Sequence, residues 1–162
     1  MALDEQQAEP AALRAYHALE RMIVTLDLPP AGITTEGALI ERLELGRTPV
    51  REAIQRLAWE GLIEVRPRSG LAIAPLKAED WPLVVDARFG VEIVLARSAA
   101  RHAPADAASR LRHAAETMEK AMQTGNVVDF LEADKLVDET IAAAADNSYA
   151  ARVAMPLQTH SR

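Results

Sequence analysis

The sequence predicts a mainly α-helical protein in two parts: N-terminal helices closed by a β-hairpin, then a C-terminal all-helical bundle. Three observations predict it. Apolar residues recur at helical spacing through most of the 162 residues. The period changes to alternation only where Ile63 and Val65 alternate with Glu64 and Arg66, and Leu71 and Ile73 with Ala72 and Ala74. Beyond residue 85 alanine is abundant, which suits helices packed closely through small side chains.

Composition narrows the class further. At 49% hydrophobic residues the chain has enough apolar surface for one or two small cores. With no cysteine there is no disulfide framework and no thiolate metal site. No signal peptide and no run of eighteen apolar residues is found, so a soluble cytoplasmic protein without a membrane partner is expected. The net charge of −6 argues by itself against nucleic acid. Its distribution argues the other way. Residues 46–70 hold five arginines against three glutamates, a local +2 that leaves −8 for the remainder. A basic patch on an acidic chain can bind DNA while the acidic remainder limits non-specific association.

The elements follow in order. Residues 1–10 are polar and expected to be disordered. Residues 11–27 carry Leu13, Tyr16, Leu19, Ile23 and Leu26 at helical spacing, and Pro29-Pro30-Ala31-Gly32 breaks that helix. A short helix is expected from Thr35 to Leu43, with Ala38, Leu39 and Leu43 inward, followed by the tight connection Glu44-Leu45-Gly46.

The stretch from Arg47 to Gly61 reads as a second short helix with two unlike faces. Thr48 can cap it with Pro49 at its first position, and Gly61 suits a left-handed end. Val50, Ile54, Leu57 and Ala58 form its core side. Arg47 and Arg51 sit at its N-terminal end on the other side, with Gln55 one turn on. The helix dipole opposes cations there, so a partner is required, and DNA phosphates or base edges supply one. Two helices joined by a Gly-containing turn form a helix-turn-helix. The hairpin, with Pro67-Arg68-Ser69-Gly70 at its basic tip, makes it winged. The domain therefore spans 11–76, with a linker at 77–81.

Residues 82–162 read as helices. One runs to Arg101. One starts near Pro104 and stops at Gly125, with Leu111, Ala115, Met118 and Met122 on one face. One runs from Asn126 to Ala145 with Phe130, Val137, Ile141 and Ala144. The last begins near Asn147 with Tyr149, Val153 and Leu157 at four-residue spacing. Three and a half helices make a thin core, so a truncated chain or reliance on a partner subunit is expected. Trp59 and Trp81 are expected to pack between helices or at the domain junction. The four histidines show no ligand spacing.

Pro29-Pro-Ala-Gly32, the run Arg47-Thr-Pro-Val-Arg-Glu-Ala-Ile-Gln-Arg-Leu-Ala-Trp-Glu-Gly-Leu-Ile63 and Pro67-Arg-Ser-Gly70 together resemble the winged helix-turn-helix of GntR-type bacterial regulators. The second half resembles the helical FCD-type ligand-binding domain of the FadR subfamily. Arg88 with Glu92 is similar to its first helix, and Leu111 to Asn147 to its second and third. The family usually has Ser at Gly46, often a polar or basic residue at Gly37, and a histidine where Asp138 stands. Its domain also runs on for several helices that hold two further histidine ligands.

The resemblance implies site residues. Arg47, Thr48 and Arg51 match its DNA-contacting positions, and an arginine paired bidentately with guanine gives about 1–3 kcal/mol of base discrimination. With Gln55, Arg68 and Gly70 they form the expected DNA surface; a solvated arginine face and a plain hairpin turn are the alternatives. Arg56 forms either an i,i+4 pair with Glu52 or a phosphate contact. Arg88 matches the position that takes an effector carboxylate, or pairs with Glu92 along its helix. Asp134 and Asp138 match metal-ligand positions for a divalent ion (Zn, Mn, Ni or Mg). Otherwise they form salt bridges with Arg88 or a neighbour.

The implied protein is a homodimeric transcriptional regulator, usually a repressor. It binds a palindromic double-stranded operator and responds to a small organic or sugar acid. A dimeric DNA-binding fragment without effector sensing is the alternative. A metal-dependent helical-bundle enzyme is a more distant one, since no nucleophile, phosphate loop or second Glu-x-x-His motif is present.

Overall fold

Pro10 stands at the start of the first helix, α1, Ala11–Val24, whose inward face presents Ala15, Tyr16, Leu19 and Met22. The computed structural model describes residues 9–75 and 77–162, so the expected disorder at 1–10 falls almost wholly outside the described residues. The chain divides into two compact units, Met1–Lys77 and Ala78–Arg162.

In the first unit α1 ends earlier than the apolar spacing predicts. Leu26 adopts a left-handed conformation (φ 65°) and is 57% exposed, while Leu28 turns inward in its place. The chain reverses at Pro29–Gly32, where Gly32 N–H donates to the Pro29 carbonyl at 2.9 Å. It then forms a strand that the sequence does not reveal, β1, Ile33–Thr34. Two residues are too few to show a period.

Helix α2, Glu36–Leu43, is capped by Thr35, whose Oγ1 accepts from the Ala38 amide at 3.1 Å. Leu39 is its buried residue, with Ile40 and Leu43 packed beside it; Ala38, expected inward, is exposed. Glu44, left-handed at φ 53°, closes α2.

Helix α3, Arg47–Trp59, starts two residues earlier than its sequence suggests. Gly46 is the N-cap, so Thr48 makes no cap and Pro49 stands third in the helix. The first-turn amides have no intrahelical partner, so proline costs nothing there either. At the other end Leu62 N–H reaches the Leu57 carbonyl and Gly61 N–H the Ala58 carbonyl, with Gly61 at φ 79°. This is the Schellman pattern, and it aims the chain into the wing. Val50, Ala53, Ile54 and Leu57 are buried.

The wing is β2, Ile63–Arg66, and β3, Gly70–Ile73, antiparallel with Ile63 opposite Ile73 and Arg66 opposite Gly70. With β1 they form a three-stranded sheet in the order β1-β3-β2. Val65, expected inward by alternation, is 57% exposed, and Ile63 is the buried residue of β2. Leu71 and Ile73 join Tyr16, Leu19, Leu39, Val50 and Leu57 in one core.

Within the stretch expected as linker, 77–81, Ala78–Asp80 form a 3-10 turn that runs directly into α4, Trp81–His102. Then come α5, Ala107–Thr124, α6, Val127–Ala144, and α7, Ser148–Ser161. Asn126 and Asn147 cap α6 and α7 through their side chains, and Gly125 ends α5 at φ 70°.

Two faces differ from expectation. Helix α5 buries Ala107, Ala114 and Ala121, with Leu111 and Met118 half-buried between them, while Ala115 and Met122 are exposed. The small side chains sit at the contact because α5 and α6 approach closely through alanine. Helix α7 buries Ala154, Gln158 and Thr159, and turns Tyr149 and Val153 outward, 78% and 55% exposed. Its inward face packs on α4 around Leu95 and Ala145.

Candidate nucleic-acid interface and effector cluster

The outward face of α3 carries Arg47, Thr48, Arg51 and Gln55, all exposed. Burial of Val50, Ile54 and Leu57 on the opposite side fixes this orientation. Arg47 makes no ion pair with another described residue. Arg51 does: its Nε donates to Glu36 Oε2 at 3.2 Å and its Nη2 to Glu36 Oε1 at 2.9 Å. The carboxylate holds Arg51 still more firmly in its charged form. Sequence spacing cannot show this pair, since fifteen positions separate the partners.

At the wing tip Ser69 N–H donates to the Arg66 carbonyl at 3.2 Å, closing a turn with Pro67 second and Arg68 third. Arg68 is left-handed at φ 66° and exposed, and its side chain makes no ion pair among the described residues. That conformation favours glycine or asparagine, so an arginine there costs about 1 kcal/mol of strain. Arg66 instead folds onto Glu64, with Nε and Nη2 at 2.9 and 2.8 Å from the same oxygen. Gly70 has a purely local reason to be glycine. Its φ is +91°, and a Cβ there would lie 2.5 Å from the Thr34 carbonyl oxygen. It lets β1 and β3 meet; approach to DNA is not needed to explain it.

Arg56 is partly exposed, and it pairs with Glu60, not with Glu52. Its Nε donates to Glu60 Oε1 at 3.0 Å, and its guanidinium lies 3.6 Å from the centre of the Tyr16 ring. Tyr16 Oη donates to Glu60 Oε2 at 2.9 Å. Glu60 is buried there, and burial together with the Glu20 and Glu60 charges pushes the Tyr16 phenol well above its usual range. This network ties α1 to the end of α3. Trp59 and Trp81, expected to pack between helices or at the domain junction, are 83% and 53% exposed. Trp59 stands four residues after Gln55 and so shares its outward face.

In the second unit the candidate effector and metal residues form one cluster. Arg88 pairs along α4 with Glu92, Nε to Oε1 at 2.8 Å, and also reaches Ser161 Oγ. Its Nη2 lies 3.7 Å from Asp138 Oδ1. Arg162 spans the two aspartates, donating from Nε to Asp134 Oδ2 at 2.9 Å and from Nη2 to Asp138. Gln158 donates to Glu92 at 3.3 Å. Burial pushes the Asp138 carboxyl up to about 6 against the pull of Arg162 and Arg88, with Asp134 and Glu92 adding to the rise.

Among the described residues these carboxylates meet arginines, not further metal-ligating side chains. Three carboxylates are met by two guanidinium groups, and among the described residues no group of three His, Cys, Asp or Glu could hold a metal. The Arg88–Glu92 pair is the one the sequence offers; Gln158, Ser161 and Arg162 are the members that sequence reasoning missed. A pair of carboxylates half-buried on one helix was the available signal, since buried charge demands a countercharge.

A helix-turn-helix with a wing, an arginine-bearing face on its second helix and a separate helical unit define a DNA-binding transcription regulator. Residues 11–73 match the family described as bacterial regulatory proteins, gntR family, and residues 83–162 match the FCD domain. An HTH-type transcriptional regulator from the TAR-I ttuE-ttuC' intergenic region of Agrobacterium vitis is 33% identical over 134 residues, covering 81% of this chain and 78% of that protein. The chain belongs to the GntR family, in its FCD-bearing branch, and not to a family of enzymes. The HTH-type transcriptional repressor RspR of Escherichia coli is 27% identical over 138 residues, and the match spans 85% of this chain but 60% of RspR. The solved structure of E. coli McbR/YncC superposes with a TM-score of 0.80 over 94% of this chain and 72% of that one, at 20% identity, a likeness of fold. Among the described residues no helix is long and apolar enough to cross a membrane.

Proposed function

We propose that this regulator reads a palindromic operator as a homodimer in the cytoplasm, represses transcription there, and answers to a small organic or sugar acid. The observation that carries the DNA part is the exposed face of Arg47, Thr48, Arg51 and Gln55 beside a wing tip bearing Arg68. In the major groove the N-terminal end of such a helix meets base edges, and the wing arginine meets backbone or minor groove. Gly70 supports the wing's shape. Each winged unit would take one half-site. Arg88 would take the effector carboxylate, and the effector shifts the heads between DNA-competent and incompetent arrangements by binding one of them more tightly.

One observation favours a second reading, a DNA-binding dimer without effector sensing. Arg88 is already engaged by Glu92, Asp138 and Ser161, so an incoming acid has to displace an internal carboxylate.

Footprinting on a site selected from random duplex DNA tests the first reading. Arg51→Ala should abolish preference for that site with the fold intact, since Arg51 faces outward. An unchanged footprint would show that α3 is not the reading helix. A thermal-shift screen with carboxylic acids separates the two effector readings: a response that Arg88→Ala removes supports sensing.

A further inference from the structure

We propose that Glu36 is a specificity-determining residue of the DNA surface: it holds the Arg51 fork so that one edge alone is free to meet DNA. The inference rests on the DNA-reading proposal above. Glu36 is the first residue of α2, and its two carboxylate oxygens accept from Nε and Nη2 of Arg51. A guanidinium has five N–H groups, and this side-on pair uses two. Of the three that remain, one on Nη1 and one on Nη2 converge on the end-on edge, the fork that matches guanine O6 and N7.

Charge sharpens the point. Arg47 and Arg68 make no ion pair among the described residues, so phosphate draws them whatever the sequence. Arg51 is neutralised in place. It gains little from a phosphate, and gains most from an acceptor pair of the right geometry. If Arg51 swings away to a phosphate instead, the Glu36 carboxylate is left facing the polyanion. Both effects penalise non-cognate DNA more than cognate DNA.

The test uses the full chain and a duplex selected in vitro from a random library. Affinity for the selected duplex and for a random-sequence duplex is measured across a salt series, for wild type, Glu36→Gln, Glu36→Asp and Arg51→Ala. Glu36→Gln should tighten random-duplex binding and lower the selected-to-random ratio roughly tenfold. Its salt slope on random DNA should steepen by about 0.9, one added phosphate contact. Glu36→Asp, which keeps the charge, should recover most of the ratio. A merely structural ion pair would shift the melting temperature and leave ratio and slope alone. Wild-type ratio and slope in Glu36→Gln, while Arg51→Ala loses selectivity, overturn the inference and leave the DNA-reading proposal standing. If wild type selects no sequence at all, that proposal fails first and this one falls with it.

Discussion

Arg162 lies across Asp134 and Asp138, with its Nε 2.9 Å from Asp134 Oδ2 and its Nη2 on Asp138, and its side chain is 6% exposed. It supplies the countercharge that two half-buried carboxylates one helical turn apart require. Arg88 stands on the other side of Asp138. Within the described residues, Arg162 and Arg88 are the cations that meet this acidic pair.

The first prediction follows from that pairing. Chelation with EDTA, or addition of zinc, manganese, nickel or magnesium, should leave the melting temperature of the wild-type chain unchanged. Arg162→Gln should cost about 3 kcal/mol, because it strands buried negative charge. For a unit this small that is a fall on the order of 10 °C. Differential scanning fluorimetry checks both. Metal-dependent stabilisation of wild type would return the aspartates to a metal site.

Asp138 makes a signed pH prediction. Its carboxyl sits at about 6, above the usual carboxylate value of 3.8, because burial outweighs Arg162 and Arg88. The folded chain therefore takes up this proton before the unfolded chain does. Its contribution to stability is present below about pH 4 and is lost as pH rises through about 6. Asp138→Asn, permanently neutral, should melt above wild type at pH 7.5, and the two should converge towards pH 4.5. Parallel melting curves across that window would show that the ion pairs, and not burial, set this group's balance.

Tyr16 and Glu60 should matter for stability but not for DNA. Tyr16→Phe removes one donor from a buried carboxylate, at about 2 kcal/mol. Urea unfolding should shift accordingly, while affinity for a selected duplex, measured at a temperature where both proteins are folded, stays within twofold. A selective loss of DNA binding would place this network in the reading surface.

Gly70 carries a constraint of shape. In Gly70→Ala the left-handed backbone alone costs about 1–3 kcal/mol, and the new methyl meets the Thr34 carbonyl. The expected outcome is a lower urea midpoint together with faster proteolysis at the wing. Wild-type stability would mean that β1 and β3 can separate without penalty.

Much of this was legible in the chain. The helix-turn-helix shows in the sequence because Leu39, Val50, Ile54 and Leu57 are large, spaced at helical period and buried. Gly61 announces its role because its left-handed backbone excludes most other residues. The start of α3 was less legible, since Gly46 and Thr48 are both acceptable caps and proline is tolerated anywhere in the first turn. In the second half periodicity misled at α5 and α7. Alanine is nearly neutral as a signal, so Met122 and Tyr149 drew the expected face towards themselves while Ala121 and Ala154 took the contacts.

The sequence by itself determined that this is a winged helix-turn-helix followed by helices, and that arginines occupy the outward, dipole-opposed end of the second helix of the motif. Those are local facts, set by period, capping chemistry and backbone preference. The tertiary structure alone decided which charges meet. Arg51 and Glu36 are fifteen residues apart, Tyr16 and Glu60 forty-four, Arg162 and Asp134 twenty-eight. Coulombic and hydrogen-bond partners are chosen by distance in space, and no period along the chain encodes that distance until the helices have packed.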